Sequence, residues 1–133
     1  MSNNFYLTIG RIFFAAGVIA IGMVHFVTGN FPTGLLPVAA WFPGREILVY
    51  LSGALLIVSG LLILVTKSSC YGAVLAAITW LVFLLALHLP QLIMAIKDPN
   101  EWAPAFEVAM LFDGALILTG IVYTKKFARF QIR

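Results

Sequence analysis

Charge is scarce in this chain. Only 10% of its 133 residues are Asp, Glu, Lys or Arg, against about 25% in soluble domains, and that shortage excludes a soluble domain with a fully solvated surface. Cysteine is scarcer still. Cys70 stands alone, so an internal disulfide, a CxxC redox pair and a covalent CxxCH haem site are excluded, and self-contained thiol-relay chemistry with them. No run of bases interleaved with aromatics occurs, which argues against a nucleic-acid partner. The N-terminal segment lacks a basic n-region and its apolar stretch is too long for a signal peptide, so it is expected to remain as a first helix.

Apolar side chains fill the chain instead: 62% of the residues are hydrophobic and the mean hydropathy is +1.06. Residues 5–28, 47–66, 70–96 and 102–123 form four stretches, each long enough to supply the ~20 residues that cross a hydrocarbon core. Only helices or closed barrels satisfy their backbone in lipid, and these runs lack the alternation that barrel strands need. The expected fold is all-α, an integral membrane four-helix bundle in which residues 1–133 form one transmembrane domain with the lipid bilayer as its solvent.

The connectors differ from one another. Lys67, Ser68 and Ser69 make a tight turn, which predicts that the second and third helices are antiparallel neighbours. Residues Gly29 to Glu46 hold three prolines, three glycines and Trp41, a composition that breaks a helix yet suits the headgroup level. In KDPNEW, Asp98 and Pro99 predict a turn, and Asn100 is the expected N-cap of the fourth helix. Arg11, Lys67, Lys125, Lys126, Arg129 and Arg133 share one side of the expected membrane, with Arg45 and Lys97 on the other. Six bases against two put both termini on the cytoplasmic side of an inner membrane by the positive-inside rule. The basic tail suits an anionic lipid surface.

Five ionisable residues fall within the spans: Arg11, His25, His88, Glu107 and Asp113. Each costs roughly 2.5 to 3.5 kcal/mol on insertion scales unless it is compensated. At about 1.5 Å of rise per residue, His25, His88 and Glu107 come to similar depth near the outer ends of three helices. They are expected to converge on an outer-leaflet pocket, edged by Gln91 and Trp102, that binds a ligand or relays a proton. Glu107 would pair with His25 or His88. Pro90 removes a backbone donor beside His88 and predicts a kink there. Deeper in the membrane, Arg11 and Asp113 are read as a structural ion pair between the first and fourth helices. Ser52, Gly53, Ser59 and Gly60 on the second helix, with Gly10 and Gly17 on the first, read as close-packing devices. Two histidines and a glutamate on three helices could ligate zinc or a related metal, and two histidines could hold haem, but no short motif fixes either geometry.

The segments GRIFFAAGVIAIGMVHF, WFPGR, LHLP, NEW and FEVAMLFDGALILTG together resemble the DoxX-like family of small four-helix membrane proteins. The family often shows glycine pairs where this chain has Phe112, Asp113 and Gly114, so Asp113 departs from that pattern. The resemblance implies a redox-linked membrane subunit that interacts with quinone or a similar apolar ligand, and points to His25, His88 and Glu107 with Asn100 and Trp102 beside them. Three readings stay open: a quinone-interacting subunit beside a membrane redox partner, a non-catalytic protein that binds or transports a lipid or small molecule, and a structural subunit of a membrane complex or homo-oligomer.

Overall fold

The computed structural model describes residues 3–32 and 43–130, with side chains described for residues 5–32 and 43–125. All of its regular structure is helical. Helix α1 spans Asn3–Thr28, α2 Arg45–Leu64 and α3 Ser69–Phe83; a π-helical turn, Leu84–His88, leads into α4, Leu89–Met94, and α5 spans Pro99–Phe130. Four segments are long and apolar enough to cross a membrane: Phe5–Thr28, Arg45–Leu64, Ser69–Met94 and Pro99–Lys125. Their length and hydropathy define a multi-pass membrane protein.

Helices α1, α2 and α3 each bury a stripe at helical spacing. On α1 the stripe is Ala15, Val18, Gly22 and His25; on α2 it is Val49, Gly53, Leu56, Gly60 and Ile63; on α3 it is Gly72, Ala76, Trp80 and Phe83. Helix α1 packs on α2, α2 on α3 and α3 on α5, so α2 and α3 lie at the centre and α1 and α5 flank them. Lipid tails are as apolar as leucine and supply no hydrophobic drive for helix association, so the helices must gain from close packing. Glycine provides it. A methyl group on Gly22 would stand 2.8 Å from the Gly53 carbonyl oxygen, and one on Gly72 only 2.6 Å from both the Ile63 nitrogen and the Ser59 oxygen. Gly10 and Gly17, in contrast, have nothing within 4 Å of such a methyl, so the expected packing role falls to Gly22 on α1.

Three hydroxyls well inside the spans are satisfied by their own helices, as a water-free surrounding favours. Ser59 Oγ donates to the Leu55 carbonyl at 2.6 Å, Thr79 Oγ1 to Leu75 at 2.9 Å and Thr119 Oγ1 to Ala115 at 2.8 Å. The α2–α3 turn is closed by Ser68, whose Oγ donates to the Leu62 carbonyl at 3.1 Å while its backbone N–H reaches Val65.

Two boundary details differ from the sequence reading. Helix α5 begins at Pro99, and its cap is Asp98 rather than Asn100: Asp98 Oδ1 accepts the Asn100 backbone N–H and the Asn100 side-chain amide, both at 2.9 Å. Proline suits the first helical position because its missing N–H has no intrahelical partner there, which moves the cap two residues upstream. The other detail is the connector before α2. Gly29, at φ 60°, ends α1, and Gly44, at φ 74°, precedes α2, while residues 33–42, including Trp41, lie outside the described residues.

Candidate functional site

His25 sits on the inward face of α1, wholly buried. Its Nδ1 lies 2.8 Å from the Ile21 carbonyl oxygen one helical turn earlier. A carbonyl can only accept, so Nδ1 carries the proton. Two neighbours hold the ring in place. Phe31 meets it edge-on, with centroids 5.5 Å apart and planes at 84°; Gly53 of α2 lies so close that a methyl there would come within 2.8 Å of the His25 Cβ. The other ring nitrogen, Nε2, is buried and has no hydrogen-bond partner among the described residues.

His88 is also buried, at 3% exposure, as the last residue of the π-helical turn. The turn has a local cause. Pro90 offers no N–H to the preceding turn, and the chain widens ahead of it so that the Leu89 N–H bonds the Leu84 carbonyl, five residues back. The expected kink at Pro90 is therefore a π-helical turn, and it aims His88 inward while Pro90 itself stays exposed.

The remaining expected members stand differently. Glu107 is exposed and makes no hydrogen bond or ion pair with either histidine or any other described residue. Its register explains this: α5 buries Ala105, Val108, Ala115 and Leu118, and Glu107 precedes Val108 by one residue, about 100° around the helix. Gln91 and Trp102 are half-buried, and Trp102 Nε1 donates to the Ile96 carbonyl at 3.1 Å, pinning the start of α5 to the end of the preceding turn.

The expected Arg11–Asp113 pair does not form. Arg11 faces inward from α1 and its Nη1 donates to Thr66 Oγ1 at 3.2 Å, just past the end of α2. Asp113 is exposed, nearly opposite the buried stripe of α5. The neighbouring Gly114 is the residue that turns toward α1, where a methyl would lie 3.2 Å from the Phe14 ring. Among the described residues no three His, Cys, Asp or Glu side chains come together as metal ligands would.

Trp80 escaped the sequence reading. It is fully buried at mid-span on α3, stacks edge-on with Phe83 at 5.7 Å, and its Nε1–H meets no acceptor among the described residues. Its depth was the available signal, since tryptophan in membrane proteins concentrates at the interfaces. The interior thus carries an open acceptor at His25 Nε2 and an open donor at Trp80 Nε1, both shielded from lipid.

Comparison with protein-family models, with curated proteins and with solved structures finds no match to this chain. Its class, a multi-pass membrane protein, rests on the four apolar helices themselves.

Proposed function

We propose that the chain is a four-helix bundle of an inner membrane, with both termini cytoplasmic, that holds an apolar ring-bearing ligand of the quinone class against His25. The observation that carries this reading is the buried His25 Nε2 without a partner. Leaving such an atom unmatched costs about 1–3 kcal/mol, a cost that a ligand would remove. The resemblance to DoxX-like proteins supports the quinone class and a redox-linked role beside a membrane partner. Lipid extraction of the purified protein tests it: quinone co-extracted with the wild type and lost with His25→Phe supports the reading, and extracts of identical quinone content refute it. The orientation is tested by placing cysteine at Asn30 or Asn100 in a Cys70→Ser background. Reaction with an impermeant thiol reagent in intact cells is expected, and labelling only after lysis would reverse the topology.

One observation favours a second reading, a structural subunit of a larger complex. Glu107 and Asp113 are exposed on α5 among exposed Phe106, Met110 and Ile117, and carboxylates facing lipid are costly. A neighbouring subunit over this face would relieve that cost. Cross-linking from a cysteine at Met110 tests it, with a discrete heavier band as the expected result.

A further inference from the structure

The neutral imidazole has one donor and one acceptor, and in His25 the assignment is fixed by the fold. Nδ1–H is committed to the Ile21 carbonyl at 2.8 Å. The ring cannot exchange its two nitrogens without breaking that bond and displacing Phe31, whose edge lies against it. Nε2 therefore presents a bare lone pair in a wholly buried setting. A lone pair accepts hydrogen and repels another lone pair, so a carbonyl oxygen placed at Nε2 gains nothing, whereas a hydroxyl completes the bond.

We infer that the site selects a ligand by a donated O–H, and thus takes the reduced, hydroxyl-bearing form of a quinone-class ring in preference to the oxidised, carbonyl-bearing form. This rests on the ligand reading proposed above and assigns its chemical form. A carbonyl ligand would need the proton on Nε2, which frees Nδ1 of its hydrogen and sets its lone pair against the Ile21 oxygen. The site punishes the wrong ligand through that contact, in the way that a buried hydrogen-bonding group rejects an analogue lacking its complement.

The test uses the full-length wild-type protein in lipid nanodiscs and three probes of equal tail length: decylhydroquinone under anaerobic conditions, decylquinone, and the dimethyl ether of decylhydroquinone. The ether keeps both ring oxygens and the reduced ring but cannot donate. Decylhydroquinone is expected to bind about tenfold tighter than either of the others, the scale of one buried hydrogen bond. Nitrogen NMR of histidine-labelled protein is expected to show His25 protonated on Nδ1 and bare on Nε2. Equal binding of hydroquinone and ether, tighter binding of the quinone, or a proton on Nε2 would overturn the inference and leave the ligand reading standing. Failure of all three probes to bind would overturn both.

Discussion

The two central helices and the two flanking ones handle polar residues in opposite ways. Over an apolar stretch of 18 residues in each span, 39% and 44% are buried in the spans that hold α2 and α3, against 17% and 22% in those of α1 and α5. The central pair carries small hydroxyl residues, Ser52, Ser59 and Thr79, each closed on its own helix, and meets at Gly72, where the two backbones nearly touch. The flanking pair carries the charged groups beyond the first turn of a span, Arg11 on α1 and Glu107 and Asp113 on α5, whereas Arg45 and Glu46 stand at the very start of α2. The contrast teaches that an ionisable residue within a span need not mark the interior. Among the described ionisable residues of the spans the buried ones are histidines, His25 and His88, where one ring can be both apolar face and hydrogen-bonding edge.

The largest break in this comparison should come at the central seam. Gly72→Val would drive a branched side chain into two backbone atoms, neither able to rotate aside, and should lower stability by about 3 kcal/mol; thermal unfolding in detergent measures it, and an unchanged melting point would contradict the close approach of α2 and α3. The next effect sharpens the role of His25. His25→Phe keeps the ring volume and removes the unmatched acceptor, so stability should hold or rise by about 1 kcal/mol while bound ligand is lost. A large loss of stability without change in ligand would instead make His25 a packing residue.

Smaller gains are expected on the flanking helices. Gly10→Ala and Gly120→Ala meet nothing within 4 Å, and each should add up to about 1 kcal/mol from helix propensity alone. Losses at either position would reveal a neighbour on that face. The smallest effect concerns Arg11 and Asp113. A double-mutant cycle with Arg11→Gln and Asp113→Asn should show coupling below about 0.5 kcal/mol, because Arg11 bonds Thr66 and Asp113 points away. Coupling well above that would restore the ion pair.

Much of the helix pattern was legible because lipid makes length and hydropathy decisive. The expected stretch 47–66 became Arg45–Leu64, and the turn at Lys67 joins α2 to α3 as its brevity required. The site was legible only in part. Depth along a helix follows from counting residues, and it brought out His25 and His88; rotation about the helix depends on which neighbour packs where, and that misdirected Glu107 and Asp113. The apolar residues of α5 surround it on all sides, so hydrophobic periodicity gave no sign that Val108 faces inward and Glu107 does not. Trp80 could have been noticed from its depth, but that its N–H meets no acceptor among the described residues only the packing reveals.

The π-helical turn at Leu84–His88 has a consequence for how this sequence tolerates insertion and deletion. Such a turn is an α-helix holding one extra residue, so the third span carries its own register shift. Deleting Ala86 would remove that extra residue and leave a continuous α-helix, in which His88 follows Trp80 by seven residues, about two turns, and so keeps its inward face. Gln91 and Leu92 would likewise keep their half-buried faces, and the cost would be local, where Pro90 presses on the carbonyl one turn before it. A deletion of one residue inside the turn is thus expected to leave the far end of the span facing the same neighbours, whereas a deletion on either side of it would rotate that end by about 100°.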